Sequence, residues 1–436
     1  MIHQIPVQQF IELAKNSPVI DVRAPAEFTN GHIPGAHNVP LFSDDERALI
    51  GTLYKQQGKQ EAIRAGLEFV GPKLTNYVEQ VAEIVNTSAE QPISCPPTSS
   101  EIASLHASNF VSRSEVGTPT IEVIIASYLD TTPTAPLDMG GKSPEQSNRK
   151  ATVLTYCARG GMRSKSFGML LATCGYTVYQ LNGGYKAYKK YLRDTAAEKC
   201  NFVVLGGKTG SGKTKILHEL KKLGEQVLDL EKLAHHKGSV FGAVGEQPQP
   251  SQEQFIVDCL STVAHFDSTK IIWVEKESYK VGDLAIPQEL WHQMQQAPIV
   301  YIEIPQEQRL QNLMTDYGSY DRELLKTSVQ RLHKKLGGAC VKELCEQIDV
   351  NNYRAVACTL LDYYDQLYEY GLQKSDDQDI EHIVFTNETS AEIANTLSRA
   401  SISYLDTTPT HNASAPLDMD GCREMTEQKN ESAHFE

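Results

Sequence analysis

Two stretches of the chain carry residue types at spacings that can do chemistry. The first is Tyr156-Cys157-Ala158-Arg159-Gly160-Gly161-Met162-Arg163-Ser164. A cysteine, a Gly-Gly turn and then Arg and Ser opening a helix form a cup of backbone N–H groups. The positive end of the helix faces the sulfur, and Arg159 and Arg163 add full charges. Such surroundings favour the thiolate, the form of cysteine that attacks electrophiles. A structural cysteine beside a tight turn has no use for two Arg and two Gly. Cys157 is therefore read as a nucleophile, with Arg159, Gly160, Gly161 and Arg163 holding its anionic partner.

The second stretch is Gly207-Lys208-Thr209-Gly210-Ser211-Gly212-Lys213-Thr214. This G-x-x-x-x-G-K-T pattern lies between an apolar run and a helical pattern, the context the motif requires. Its glycines let backbone N–H groups wrap a diphosphate. Lys213 reaches the outer oxygens, and the Thr214 hydroxyl is placed for Mg²⁺. Asp229 and Glu275 end two further apolar runs and join the phosphate-binding set as weaker candidates. Either could hold a metal through water, and either is equally ordinary as a strand-end acid. His235 and His236 are adjacent, so on a helix they point different ways and do not make a metal site.

The elements that must position these residues alternate between strand and helix. Val19–Arg23 reads as a short buried strand, followed by Gly/Pro turns through Pro40 and a second short strand. Helical patterns cover Asp45–Lys55, Lys59–Phe69 and Leu74–Val85. Ala151–Tyr156 reads as a strand, Lys165–Thr173 as a helix, 177–181 as a strand, and Gly183-Gly184 as a turn. Asn201–Leu205 is the strand before the glycine-rich loop, and Lys215–Leu223 the helix after it. Between Asn86 and Asn148 the composition turns to Ser, Thr, Pro and Glu, and the tail from Ser401 shares it. The segment Ser127–Met139 recurs in the tail as Ser403–Thr410 and Ala415–Met419. Two distant copies cannot stack as a solenoid, so both are read as disordered, low-complexity insertions. A short partner-binding motif is the rival reading.

At 436 residues the chain has room for two domains: 1–195, interrupted by the insertion at 86–148, and 200–400, followed by the tail at 401–436. Nine cysteines without a C-x-x-C pair argue against a disulfide framework or a zinc ribbon, and for a reducing compartment. No leader pattern opens the chain and no apolar run reaches bilayer length, so a cytoplasmic protein that avoids membranes is expected. The net charge of −14 discourages a polyanionic partner until its distribution is read. From Arg149 to Lys215 thirteen Lys and Arg are opposed only by Asp194 and Glu198. This block spans both anion-binding loops, which suits a nucleic-acid backbone as well as it suits a solvated helix face beside two phosphate sites. Tyr363, Tyr364, Tyr368 and Tyr370 could stack on bases, but a Leu/Tyr helix packed on its own domain is the commoner arrangement.

Asp21-Val22-Arg23-x-Pro25-x-Glu27-Phe28, Gly31-His32-Ile33-Pro34-Gly35-Ala36 and the Cys157 loop resemble a rhodanese domain. The loop departs from that pattern in placing five residues between Cys157 and Arg163 where rhodaneses place four, which widens the cup. The whole arrangement, an N-terminal rhodanese-like α/β domain followed by a P-loop NTPase-like α/β domain, resembles the tRNA 2-selenouridine synthases. Matching segments include Asp45-Glu46-Arg47-Ala48, Gly183-Gly184-Tyr185-Lys186-Ala187, Asp229-Leu230-Glu231, Trp273-Val274-Glu275-x-Glu277-Ser278 and Arg331-Leu332-x-Lys334-x-Leu336-Gly337.

The resemblance implies a transferase acting on the wobble 2-thiouridine of tRNAs for Lys, Glu and Gln, with geranyl diphosphate and selenophosphate as co-substrates and no prosthetic group. Sulfur is first geranylated, and selenium carried on Cys157 as S-selanylcysteine then replaces the geranylthio group. It also implies that Gly66, in Ala62–Gly66, is a close-approach position near the selenation site. Three rivals remain open from the residues alone. They are a Cys-x5-Arg phosphatase with a regulatory nucleotide domain, a non-catalytic tRNA-binding scaffold, and an ATP-dependent kinase.

Overall fold

Apolar residues alternate toward two directions along the strands, and that alternation builds two parallel sheets buried on both faces. In the computed structural model, which describes residues 2–90, 151–198, 200–238, 241–318, 320–373 and 380–406, the first sheet holds β1 (Ile2–Ile5), β2 (Val19–Asp21), β3 (His37–Asn38), β4 (Thr152–Tyr156) and β5 (Thr177–Leu181). Its spatial order is β1-β5-β4-β2-β3. The second holds β6 (Asn201–Gly206), β7 (Gln226–Leu228), β8 (Ile271–Glu275), β11 (Ile299–Glu303) and β12 (Ile380–Val384), in the order β12-β11-β6-β8-β7. Between them in sequence, β9 (Lys280–Val281) and β10 (Leu284–Ala285) form a small antiparallel hairpin.

Along β4, Val153 and the following Cys157 face one cluster with Ile20, Phe167, Leu171 and Val178. Leu154 and Tyr156 face the opposite one. Along β6, Phe202 and Val204 join that same opposite cluster, while Val203 and Leu205 face Ile216, Leu217, Trp273 and Leu397. One continuous core therefore links the two sheets. Helix Gly184–Ala196 turns Tyr185, Tyr188, Leu192 and Ala196 into it, against helix Gln252–Ala264. Polar contacts close the seam: Tyr188 Oη donates to Ser261 Oγ at 3.1 Å, His32 N donates to Gln254 Oε1 at 2.8 Å, and Ser251 Oγ donates to Asn30 O. A fourth cluster, within helices of residues 306–373, packs Leu310, Val329, Leu344, Ile348, Leu360 and Leu361. Tyr363 and Tyr364 pack against it, as a helix resting on its own domain would have them; nothing is described of the side chains of Tyr368 and Tyr370.

The three expected amino-terminal helices form as Asp44–Gln56, Lys59–Val70 and Leu74–Glu90. Ser43 and Glu46 cap the first reciprocally: Ser43 Oγ accepts from Glu46 N, and Glu46 Oε2 accepts from Ser43 N. The third runs past residue 86 to Glu90, and the helix Ser390–Asp406 runs past 401. The remainder of the insertion and of the tail, with the first copy of the repeat and the second beyond Asp406, lies outside the described residues. The helices after the two loops start earlier than the sequence suggests, at Met162 and Lys213, because glycine N-caps (Gly161 and the left-handed Gly212) let the backbone enter the helix at once. No described helix is long and apolar enough to cross a membrane.

Candidate active site

Both loops sit where open parallel sheets place ligands, at the carboxyl ends of central strands. Cys157 follows β4 directly and is 3% exposed. Its Sγ accepts a hydrogen bond from Ser164 Oγ at 3.1 Å, in the first turn of helix Met162–Thr173. The loop backbone is shaped from beneath by the Gly183-Gly184 turn. Tyr185 N donates to Cys157 O at 2.9 Å and Lys186 N to Ala158 O at 3.0 Å. Gly184 has φ +59°, and a Cβ there would collide with Cys157 O and lie 2.5 Å from Gly160 N. Gly160, at φ +63°, meets the same turn from above, where a Cβ would be 2.7 Å from Gly183 N. The turn is thus a clamp for the cysteine loop, a role its sequence as a mere Gly-Gly turn did not reveal. Gly161 differs, since nothing lies within 4 Å of a Cβ placed there. It faces open space at the mouth of the cup.

The two loop arginines part company. Arg159 is exposed at the rim. Arg163 is held by Glu27, its Nη1 donating to Glu27 Oε2 at 2.8 Å, and Arg47 Nε reaches the same oxygen at 2.7 Å. Burial opposes the charge on Glu27, but Arg163 and Arg47 outweigh it and bring the carboxyl down to about 2. Arg163 therefore enters the site already paired, on a carboxylate from helix Pro25–Asn30. Next to it Arg23 and Asp21, both buried, form a short-range pair, with Arg23 Nη2 also donating to Gly31 O at 2.6 Å. This pair fixes the Gly31–Pro34 turn and is architectural. Gly66 lies on helix Lys59–Val70, where a Cβ would meet Phe42 Cζ at 3.4 Å and Ile50 Cδ1 at 3.8 Å. Phe42 in turn packs against the hydrophobic cluster of which Cys157 is a member.

The glycine-rich loop Gly207–Gly212 follows β6. Gly210 has φ +79° and abuts Arg309 O, and Gly212 shares that φ. The loop is gripped from helix Gln306–Gly318. Arg309 Nη1 donates to Thr209 O at 3.2 Å and Asn312 Nδ2 to Gly210 O at 2.8 Å. Arg309 is anchored in turn by a bidentate bond to Asp365, which also stands 3.7 Å from Lys208 Nζ. Sequence reasoning missed Arg309, Asn312 and Asp365, which lie about a hundred residues or more from the loop they hold.

Lys213 Nζ donates to Gly207 O at 2.7 Å, folded back across its own loop. Carboxylates crowd around it. Burial pushes the Lys213 ammonium down while Glu277, Glu231 and Glu275 pull the other way. Burial, with Glu231 beside it, raises Glu277 to about 7. Glu275 is pushed well up by burial and by Asp229 and Glu231. Gly238, at φ +66°, threads its backbone between them, since a Cβ would lie 2.6 Å from Glu277 Oε1 and 2.8 Å from Glu231 Oε1.

The two acids picked out from strand ends are engaged by neighbouring elements, Asp229 through both oxygens and Glu275 through Oε1 alone, with Glu275 Oε2 left without a hydrogen-bond partner among the described residues. Asp229 Oδ1 caps helix Leu230–Ala234 by accepting from Lys232 N, and Oδ2 contacts His218 Nε2 at 2.8 Å. Glu275 Oε1 accepts from Glu231 N at 2.9 Å. It is Glu231 and Glu277 that stand closest to the loop chemistry, and Thr214 Oγ1 donates to Glu231 Oε2 at 2.9 Å. Among the described residues no group of three or more His, Cys, Asp or Glu is arranged to hold a metal ion. His235 Nδ1 lies 2.9 Å from Pro248 O.

The cationic stretch is not one open face. Lys189 Nζ pairs with Glu253 and Lys190 Nζ with Asp194, each at 2.5 Å, and Arg193 stands 3.7 Å from Glu289. Acids distant in sequence neutralise part of the block along the seam between the sheets. Arg159, Lys165, Lys186 and Lys215 remain exposed.

Comparison with known proteins agrees with this layout. A family model for the tRNA 2-selenouridine synthase AAA domain matches residues 200–402, and one for the rhodanese-like domain matches residues 7–66 and 121–191. The tRNA 2-selenouridine synthase of Shewanella denitrificans is 31% identical over 405 residues, covering 85% of this chain and 92% of that protein. Its namesake from Shewanella loihica is 32% identical over 400 residues, covering 84% and 90%. That of Bordetella petrii is 30% identical over 414 residues, covering 86% and 91%. With a rhodanese-like sheet presenting Cys157, a P-loop sheet presenting Lys213, and relatives aligned through both, the chain belongs to the tRNA 2-selenouridine synthase family.

Proposed function

We propose that this chain converts the wobble 2-thiouridine of tRNAs for Lys, Glu and Gln into 2-selenouridine in two steps divided between its two loops. The observation that carries the reading is the pairing, over one shared core, of a buried thiol hydrogen-bonded at a helix start with a P-loop. In the first step the thiouridine sulfur attacks C1 of geranyl diphosphate. A sulfur–carbon bond forms, the carbon–oxygen bond breaks, and diphosphate leaves. The N–H cradle of Gly207–Gly212 and the Lys213 ammonium stabilise the departing charge. A magnesium ion arriving with the diphosphate would be held by Thr214 Oγ1, a hard oxygen ligand at the helix start, and by the diphosphate's own oxygens, and would offset leaving-group charge.

In the second step selenium from selenophosphate, held at Cys157, attacks C2. A carbon–selenium bond forms, the carbon–sulfur bond breaks and the geranylthio group leaves as the thiol, while water cleaves the selenium–phosphorus bond and releases phosphate. Arg159 and the amides of Gly160 and Gly161 receive the selenophosphate anion, and Arg163 keeps its carboxylate partner Glu27. The exposed cations Arg159, Lys165 and Lys186 at the cup offer the tRNA backbone its phosphate contacts.

The test is reconstitution with purified protein. Thiouridine-containing tRNA and geranyl diphosphate should give geranylated tRNA without any selenium source, equally well with Cys157→Ser. Failure of that variant to geranylate would overturn the division of labour. Phosphate release from a generic aryl phosphate that depends on Cys157 would instead favour the phosphatase reading.

A further inference from the structure

Gln180 is a fully buried amide in β5, one of three fully buried polar residues in the strands of this sheet with Asp21 of β2 and Thr155 of β4. It lies under the Cys157 loop. Its Nε2 donates to Gly160 O at 3.1 Å and to Ser164 Oγ at 2.7 Å, and its Oε1 accepts from Gln4 Nε2 at a long 3.5 Å. A carbonyl can only accept, so the Gly160 contact fixes which end of the amide faces the loop. Ser164 Oγ therefore receives a hydrogen from Gln180, and its own hydrogen must go elsewhere. Two acceptors are within reach, Cys157 Sγ at 3.1 Å and Gly161 O at 3.3 Å. Sulfur is the larger atom and stands closer, and as a thiolate it is a charged acceptor, which draws the stronger bond. A hydroxyl that is already accepting is a better donor, because hydrogen bonds in a chain polarise one another.

We propose that Gln180 is a positioning residue for the selenium-transfer chemistry: it orients the Ser164 hydroxyl so that it donates to the Cys157 sulfur and holds that sulfur in its nucleophilic form. The inference deepens the role given to Cys157 and rests on it. Gln180 touches no substrate; it acts through Ser164.

The full-length chain is alkylated with iodoacetamide from pH 5 to pH 10, and the adduct on the Cys157 peptide alone is quantified by mass spectrometry. Gln180→Met keeps the volume and loses the donors. The midpoint of the Cys157 profile should move upward, with the rate at pH 7 falling roughly fivefold, the effect of about one net hydrogen bond, while the plateau at high pH is kept. Ser164→Ala should shift the midpoint in the same direction, and the double variant no further than Ser164→Ala alone. A purely architectural role would lower the rate alike at every pH. The proposal is overturned by an unmoved midpoint in Gln180→Met or, should that variant not fold, in Ser164→Ala; additive shifts in the double variant overturn it as well. The role of Cys157 as selenium carrier fails separately, if cells carrying Cys157→Ser keep selenouridine whatever the alkylation profiles show.

Discussion

The chain holds two anion cradles at the carboxyl ends of two parallel sheets, and they differ in how much of their own bonding is already complete. Around Cys157 the loop's own contacts are in place, with Ser164 on the sulfur, Gln180 on Ser164, Arg163 on Glu27 and the Gly183-Gly184 turn on the loop carbonyls, while Thr155 Oγ1 and Tyr185 Oη beneath the loop are buried without a hydrogen-bond partner among the described residues. Around Lys213 the bonding is unfinished. Ser211 Oγ, Glu275 Oε2 and Arg309 Nε are buried without a hydrogen-bond partner among the described residues, and Lys213 folds onto a backbone carbonyl of its own loop. Buried polar atoms without partners are costly, so a ligand that bonds those beside the P-loop would stabilise this half. The electrostatics run in parallel. Two guanidiniums hold Glu27 ionised down to about 2, whereas burial and mutual repulsion hold Glu277 up at about 7. The cup is preformed, and the P-loop is shaped to be completed by an anion.

The largest effect that would break this contrast is expected at Lys213. Lys213→Ala should lower geranylation at least about a hundredfold, the scale of losing one charged donor from a developing anion. Inorganic diphosphate should raise the thermal midpoint of the wild-type chain and leave that of the variant unmoved. A cup truly independent of the P-loop keeps its Cys157 alkylation profile in that variant. Next in size is Gly184→Ala, which puts a methyl into the cysteine loop at a left-handed backbone angle. A loss on the order of 3 kcal/mol in urea unfolding is expected, with Cys157 reactivity altered. A variant of unchanged stability would show that the turn does not clamp the loop.

Two carboxylates sharpen the comparison further, with opposite signs. Glu27 is held below its ordinary 4.5 in the folded chain, so its contribution is present above pH 4.5 and drains away as pH falls toward 2. Glu27→Gln should therefore cost roughly 1–2 kcal/mol at neutral pH after allowance for solvent screening, and nothing in strong acid. Glu277 is held above the same ordinary 4.5. The folded chain keeps that proton while the unfolded chain releases it, so stability falls as pH rises from 4.5 through 7 and is then level. Glu277→Gln should be neutral in acid and more stable by about 1 kcal/mol at pH 8. Chemical denaturation of both variants at several pH values would show the two slopes crossing or not.

The same contrast explains what could be read in the sequence. Cys157 with its glycines, and Gly207 through Thr214, are runs of adjacent residues whose function is set by local backbone geometry, so they were visible as motifs. Partners that arrive from elsewhere in the chain were not. Glu27 meets Arg163 across 136 positions, Arg309 grips the P-loop across 100, and Glu253 neutralises Lys189 across 64. A local tally of Lys and Arg consequently overstated the exposed positive charge. Asp229 and Glu275 look like phosphate-site acids because strand ends place acids there; a helix cap engages Asp229, and a backbone amide engages one oxygen of Glu275 and leaves the other open. Strand β1, with only Ile5 fully buried, carried too little apolar alternation to announce itself.

The central claim, two cradles with successive tasks, is tested most directly by nucleoside mass spectrometry of tRNA from cells whose only copy of this protein is Cys157→Ser or Lys213→Ala. The account predicts geranylated thiouridine without selenouridine in the first, and unmodified thiouridine with neither product in the second. Selenouridine persisting in Cys157→Ser, or geranylated thiouridine accumulating in Lys213→Ala, would contradict it.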